Sequence, residues 1–205
     1  MSPVVNIGHV LRHDASSLEL FQTFDDTVFS LVGIVDTEFL YHHSEERSDD
    51  VTVHIWHEQA ENGATISLVE NRRLSACYFF VSGSCEKQCT RIAKNLAYLL
   101  PVIPVDELLS AARHAGDNAN ALQLLALGLN TSFHEEAFTL ITRSMQSKAE
   151  SERLSAIAAA TALKWRQFIP RLEAAMVTAA SEDERQCIRF ALERCQRTPE
   201  AIGHG

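Results

Sequence analysis

Two ten-residue segments decide the predicted fold: residues 154–163 read LSAIAAATAL, and residues 186–195 read QCIRFALERC. They begin 32 residues apart, and a weaker copy, NALQLLALGL at residues 120–129, begins 34 residues before the first of them. Alanine- and leucine-rich segments that recur at such an interval are typical of stacked helix pairs. The pattern therefore predicts an architecture for the carboxyl half and indicates little about chemistry.

Outward from these segments, six helices in three antiparallel pairs are predicted after Pro104. Their bounds are residues 105–115, 118–129, 134–146, 150–163, 166–179 and 183–194. The fifth has the clearest apolar stripe, formed by Trp165, Phe168, Ile169, Leu172, Ala175, Met176 and Ala179. Pro101 and Pro104 enclose a short, stiff connector, so the predicted domains are residues 1–100 and 101–205.

The last three predicted helices share a pattern of small, apolar and charged residues. It consists of Pro170 and Leu172, the acidic turn Glu182-Asp183, Arg185, and the pair Ala191-Leu192, which Ala162-Leu163 repeats. Over residues 150–195 this pattern resembles HEAT repeats of the short PBS-lyase type, although their Asp/Arg ladder occurs once only and Glu184 stands where an aliphatic residue is usual. The resemblance implies a small α-solenoid of three HEAT-like helix pairs that serves as a binding scaffold. It implies no catalytic residue.

The amino-terminal half contains strand-like periods of two. A short strand is predicted at residues 4–11, followed by a helix that Ser16 or Ser17 caps and that places Leu18, Phe21 and Phe24 on one face. Four strands follow, at residues 28–41, around 51–56, around 64–68 and at 74–81. A solvated loop is predicted at residues 43–50, and turns at 61–63 and 71–73.

Four strands joined by short polar turns predict an antiparallel meander with one face covered by a helix. The covering helix is expected to start at the cap Ser84, and its apolar positions are Cys85, Cys89, Ile92, Ala93, Leu96, Leu99 and Leu100. The predicted fold class of the chain is therefore α+β, with an α+β head followed by the helical repeats.

Composition and charge restrict the class of partner. The formal net charge is −9, and residues 1–100, with 14 acids against 7 bases, carry −7 of it. Nucleic acids and anionic membranes require basic patches, so neither is an expected partner. The first thirty residues show no basic and apolar leader, and no apolar run approaches the about 18 residues that span a bilayer, which predicts a cytoplasmic location.

The cysteines and glycines do not predict catalysis. The five cysteines are an odd number in a chain long enough to fold without cross-links, so reduced thiols are expected. Cys85 and Cys89 lie four residues apart on one predicted helical face. This spacing suits a redox pair, half a metal site, or two small apolar residues of the core, which is the favoured interpretation; Cys187 and Cys195 offer less. Eight scattered glycines form no phosphate loop, so no cofactor is predicted.

Four histidines on predicted strands are candidate metal ligands: His42, His43, His54 and His57. Strand alternation places the members of each neighbouring pair on opposite faces, so at most one from each pair is expected to converge on a site. A metal-dependent hydrolase, or a lyase-like enzyme, is therefore the alternative hypothesis, and ordinary surface histidines are the simpler interpretation. No metal ligand or catalytic residue is assigned.

A run of eight acidic residues in the amino-terminal half suggests a docking surface. They are Asp36, Glu38, Glu45, Glu46, Asp49, Asp50, Glu58 and Glu61, with Arg47 as the nearby base. The first six are the predicted partner-binding residues, because crowded acids can guide a basic protein. The sequence thus favours a non-catalytic protein-binding module, an adaptor or an inhibitor such as a toxin-neutralising immunity protein, and it leaves a merely solvated rim open.

Overall fold

The computed structural model describes residues 5–12, 17–60, 63–114, 120–129 and 133–197 of the chain. By its internal contacts the chain separates into two units, Met1–Pro104 and Val105–Gly205. The predicted cap Ser16, the turn residues Glu61 and Asn62, and the predicted helix ends at 115 and 118 lie outside the described residues.

The first unit contains a five-stranded antiparallel sheet. Its strands are β1 (Val5–Leu11), β2 (Phe39–Ser48), β3 (Val51–Glu58), β4 (Thr65–Asn71) and β5 (Ala76–Gly83). Their order is β1-β5-β4-β3-β2, and every neighbouring pair is antiparallel. The predicted α+β class is confirmed. The sheet differs from the predicted four-stranded meander in two ways. β1 pairs with β5 as a fifth strand, and β2 at Phe39–Ser48 takes the place of the strand predicted at residues 28–41.

Three helices of this unit belong to the same core as one face of the sheet. They are α1 (Ser17–Ser30), α2 (Val32–Val35) and α3 (Glu86–Leu99). Inward residues of β3, β4 and β5, such as Trp56, Leu68 and Phe79, form one cluster with Phe24 of α1 and Leu96 of α3. Burial of this many large apolar side chains from one sheet face and its helices supplies the main driving force for folding the unit.

The prediction of a strand at residues 28–41 is wrong. Leu20, Phe24 and Val28 are buried at helical spacing in α1, and Leu31 continues the series after the helix ends. The strand prediction rests on odd-numbered apolar residues that include Phe29, whose side chain is 74% exposed. Tertiary burial of one helical face therefore overrides the β propensity of the branched residues.

The prediction of a loop at residues 43–50 is also wrong. β2 continues to Ser48, and only Asp49 and Asp50 form the turn to β3. Polar residues are tolerated in β2 because it is an edge strand whose side chains are mostly exposed. The acidic residues at 45 and 46 therefore lie on a regular strand and are held by its ladder.

The start of α3 and the connector after it differ from prediction. Ser84 is not the cap, because Cys85 occupies that position in an extended conformation and makes no side-chain capping bond. The connector pairs with the end of β1: the Arg12 N–H donates to the Pro101 carbonyl at 2.7 Å, and the Ile103 N–H donates to the Val10 carbonyl at 2.8 Å. The proline-bracketed residues therefore extend the packing of the first unit.

The second unit is helical, close to the predicted bounds. It consists of α4 (Val105–Arg113), α5 (Asn120–Leu129), α6 (Glu135–Ser144), α7 (Glu150–Leu163), α8 (Ile169–Thr178) and α9 (Glu182–Arg197). The predicted fifth helix is divided, since Arg166–Phe168 form a 3-10 turn before α8. α4 packs on α5, α6 on α7 and α8 on α9, while α7 also contacts both α5 and α9. The alanines of α7 allow this close approach on two sides.

A buried ion pair joins α7 to α9. Glu184 is 2% exposed and accepts two hydrogen bonds from the Arg153 guanidinium, at 2.6 and 3.0 Å. Its carboxylate also accepts from the Ala180 N–H at 3.0 Å. The hydrogen bonds from Arg153 lower the pKa of Glu184. The residue that departs from the HEAT pattern in sequence is thus the buried partner of an arginine on the preceding helix pair.

Candidate protein-binding surface

The predicted partner-binding residues are distributed along the β2–β3 hairpin. Asp36 and Glu38 precede β2, Glu45 and Glu46 lie in its second half, and Asp49 and Asp50 form the turn. Ten residues of strand span about 30 Å. The acids therefore form two groups, one at each end of β2, and we call this strand with its flanking acids the β2 edge.

Most carboxylates of the β2 edge have no structural partner. Asp36, Glu38, Glu46, Asp49 and Asp50 are exposed, and within the described parts of the chain their carboxylates make no hydrogen bond or ion pair. Glu45 differs, because it accepts a hydrogen bond from Arg47 at 2.7 Å. Exposed like charges repel weakly. The Arg72 guanidinium donates to the Asp49 carbonyl at 3.4 Å, but in the described structure it bonds to none of these five carboxylates.

The Glu58 carboxylate, in contrast, is hydrogen-bonded within the fold. Its carboxylate accepts hydrogen bonds from the Ala64 N–H at 2.6 Å, the Thr37 hydroxyl at 2.7 Å and the Gln88 amide at 2.7 and 2.8 Å. These bonds fix the end of β3 to the start of β4 and to α3. The sequence grouped Glu58 with the docking acids, whereas the structure separates it from them; Glu61 lies outside the described residues.

Three of the four candidate histidines meet at the middle of the β2 edge. The ring centroids of His42 and His43 are 4.6 Å apart, and those of His42 and His57 are 4.9 Å apart. The expectation that only one residue from each pair converges is wrong. A β-bulge shifts the register between Tyr41 and His43, so simple alternation fails there.

A metal ion at the histidine cluster would require a suitable arrangement of ligands. Within the described parts of the chain, no three His, Cys, Asp or Glu side chains are arranged to hold a metal ion. Burial lowers the pKa of His57, and the imidazoles of His42 and His43 lower it further because neighbouring positive charges repel. The cluster therefore favours the neutral form of His57.

The fourth histidine, His54, lies on the helix-covered face of the sheet. Its Nε2 is 3.1 Å from a carboxylate oxygen of Glu70, and its ring centroid is 4.8 Å from that of Phe21. Its Nδ1 is buried and has no hydrogen-bond partner among the described residues. Trp56 packs nearby and donates its indole N–H to Asp25 at 2.7 Å. These contacts tie α1 to the sheet, which is a structural role.

Two apolar side chains are exposed in the first half of β2. Leu40 is 46% exposed and Tyr41 is 43% exposed, between the two acidic groups. No other described strand pairs with the outer side of β2. Sequence analysis missed these two residues because it assigned them to the end of a different strand. The Ser48-Asp49-Asp50 turn signal beside the alternating residues of β3 could have revealed the hairpin.

The members of each candidate cysteine pair differ in exposure, since Cys85 and Cys187 are exposed and Cys89 and Cys195 are buried. Cys85 is exposed before α3 begins, whereas Cys89 is buried in the core, so the two do not share one helical stripe. Burial raises the pKa of Cys89, raises that of Cys77 to about 12 and raises that of Cys195 to about 11. Because the thiolate is the reactive form, these three buried thiols are poor nucleophiles.

The second unit contains a cleft of about 460 Å³ beside α8. Ala174, Ala175 and Thr178 form much of its wall, and Arg153 and Arg171 contribute cations. Arg153 is already engaged by Glu184 and by the carbonyls of Ser147 and Lys148. Arg171 is exposed, and one exposed cation against small side chains does not fix the orientation of a ligand.

Comparisons with protein-family models, with curated proteins and with solved structures find no match to this chain. The resemblance to HEAT repeats therefore stays a prediction. Among the described helices, none combines the length and the apolar character needed to cross a membrane. The evidence for a binding surface at the β2 edge is therefore its geometry and its charge.

Proposed function

We propose that this chain is a non-catalytic, cytoplasmic protein-binding module that docks a basic protein on the β2 edge. One observation carries the proposal: Asp36, Glu38, Glu46, Asp49 and Asp50 are exposed on one hairpin without a structural partner in the described residues. Glu45, paired with Arg47, lies beside them and completes the predicted surface. Complementary charge on a partner would relieve the repulsion among these acids and would steer its approach.

The module acts as an adaptor or as an inhibitor that blocks its partner. A toxin-neutralising immunity protein is the specific version of the inhibitor, because a small acidic protein that covers a basic functional surface would inactivate it. The acidic excess of residues 1–100 supports a basic partner and disfavours nucleic acids and anionic membranes.

The second unit is proposed to be an α-solenoid of three HEAT-like helix pairs that serves as a scaffold. Its support is a set of contacts between positions separated by about one repeat. Gln123 donates to Ser155 across 32 residues, Arg153 to Glu184 across 31 and Ser181 to Glu150 across 31. Contacts that recur at the repeat length are those expected between adjacent repeats.

An equilibrium binding experiment tests the docking surface. The probe is the basic protein that purified wild-type chain captures, and the variant combines Glu46→Gln, Asp49→Asn and Asp50→Asn, called here the edge variant. A control variant with Asp26→Asn, Asp106→Asn and Glu173→Gln removes the same charge from exposed positions elsewhere. We expect at least a tenfold rise in Kd for the edge variant and less than a twofold change for the control.

Two results would contradict the proposal. Equal affinity of the wild type and the edge variant would remove the β2 edge from the binding site. Stoichiometric zinc or iron in protein purified without added metal would instead favour the alternative, a metal-dependent hydrolase or lyase-like enzyme that uses the strand histidines.

A further inference from the structure

The two edge strands of the sheet, β1 and β2, differ in the hydrogen bonds on their outer sides. At β1, residues beyond α3 bond to the outer side of the strand: Leu11 bridges to Val102, and the Ile103 N–H donates to the Val10 carbonyl. Within the described residues, no segment pairs with the outer side of β2. These bonds reach only the last residues of β1, whereas β2, the longest strand, has no strand partner along its outer side in the described part of the chain.

An edge strand presents backbone groups that can bind another strand. In an antiparallel ladder, alternate residues direct their N–H and C=O groups outward, so β2 offers about four or five such residues. The register is continuous on either side of the bulge, at residues 39–41 and 43–46. Extended peptides add to edges of this kind through main-chain hydrogen bonds, and side-chain contacts then supply specificity.

The charges of the β2 edge indicate which strand it accepts. Asp36 and Glu38 lie at one end, and Glu46, Asp49 and Asp50 at the other, with apolar Leu40 and Tyr41 between them. A second copy is disfavoured, because either parallel or antiparallel pairing of two β2 strands places acids against acids. A segment with basic residues at both ends and apolar residues in the middle matches the edge.

From this pattern we infer that β2 accepts an extended segment of the partner as a sixth strand, with lysine or arginine near both ends. The inference rests on the proposed function and specifies how the partner binds. The acidic side chains protect the edge from pairing with another copy, which is a common role of charged residues on edge strands. Because these exposed charges are all negative, they repel a second copy of the chain and attract a basic strand.

A synthetic peptide tests the inference directly. The probe is a labelled ten-residue peptide, Lys-Lys-Thr-Val-Thr-Val-Thr-Val-Lys-Lys, with blocked ends. A second peptide carries N-methyl groups on three consecutive middle residues, which removes hydrogen-bond donors from both of its edges. A matched peptide carries three added methyl groups on side chains instead, by valine-to-isoleucine replacement. Fluorescence anisotropy with the full chain at low ionic strength measures each affinity.

The expected result is binding of the unmodified and isoleucine peptides within twofold of each other and at least tenfold weaker binding of the N-methyl peptide. Amide hydrogen exchange should slow in β2 when the unmodified peptide is bound.

Equal affinity of all three peptides, or no binding of the unmodified one, would overturn strand addition. If the N-methyl peptide binds normally while the edge variant weakens all three, acidic docking survives without strand addition. Equal binding to wild type and edge variant would contradict the proposed function itself.

Discussion

The acids of the helical unit and those of the β2 edge are used in opposite ways. In the helical unit, Glu136, Glu184, Glu182 and Glu193 each pair with arginines, and one of these pairs is buried. On the β2 edge, Glu45 alone among the six predicted acids has an arginine partner within the described residues. The difference supports the proposal that the clustered acids of the β2 edge serve binding, because they do not contribute ion pairs to the described fold.

The largest expected effect on stability comes from breaking the buried pair. Glu184→Ala leaves the Arg153 guanidinium without its carboxylate and should lower the free energy of unfolding by about 3 kcal/mol or more. Urea denaturation of the full chain measures the change. The double variant Arg153→Met with Glu184→Leu is the control, and it should be closer to the wild type than Glu184→Ala is. A loss below about 1 kcal/mol for Glu184→Ala would show that the pair is not structural.

The next effect concerns the aromatic cluster of the helical unit. Trp165 is buried, and its ring stacks on Phe168 with centroids 5.5 Å apart and lies 5.0 Å from Phe133. Trp165→Ala should create a cavity and lower stability by about 3 kcal/mol, visible as a lower Tm. Trp165→Phe should recover part of the loss. An unchanged Tm together with weaker partner binding would place Trp165 at an interface instead.

The buried pair also predicts a pH dependence. The pKa of Glu184 is lowered by its hydrogen bonds to Arg153, so the folded chain holds the carboxylate charged at lower pH than the unfolded chain does. Its stabilising contribution is complete above the ordinary value of 4.5 and is lost as the pH falls through the lower folded-state pKa. Denaturation at several pH values should show a smaller acid loss in the Arg153→Met, Glu184→Leu variant. Parallel pH profiles of the two proteins would contradict this assignment.

The smallest effect on stability is expected at the β2 edge. In the edge variant, Glu46, Asp49 and Asp50 lose charges that have no partner in the part of the chain that the structure describes, so stability should stay within about 0.5 kcal/mol of the wild type. A slight gain is expected because repulsion is reduced. Urea denaturation of both proteins checks this value. A clear loss of stability would mean that these acids support the fold after all, which would remove the contrast with the helical unit.

Elements with a strong helical period could be predicted from the sequence. The segment LSAIAAATAL lies within α7, and α9 includes its variant QCIRFALERC, because apolar faces at helical spacing appear in the residues themselves. Residues 28–41 could not be predicted in this way. Phe29 and Leu31 suit a strand, whereas Val28 and Leu31 also continue a helical face, and only packing in the core decides between the two periods.

The acidic residues of the candidate site could be predicted from the sequence, whereas their arrangement on an edge strand could not. Acid content drew attention to Glu45, Glu46, Asp49 and Asp50, but their position on an edge strand depends on sheet order, which a single sequence does not display. The bulge at His42 and the pairing of Arg153 with Glu184 are likewise tertiary features. The bulge depends on the register of β2 against β3, and the ion pair depends on the packing of α7 against α9.

The most direct test of the central claim is the association rate of the captured basic partner at two ionic strengths. Stopped-flow measurements should show that the edge variant associates about tenfold more slowly than the wild type at low salt, with a smaller difference at physiological salt, because exposed charges are screened beyond about 8 Å there. The control variant, with the same net charge as the edge variant, should associate at nearly the wild-type rate. Equal association rates for the wild type and the edge variant at low salt would contradict the claim that the free carboxylates of the β2 edge receive the partner.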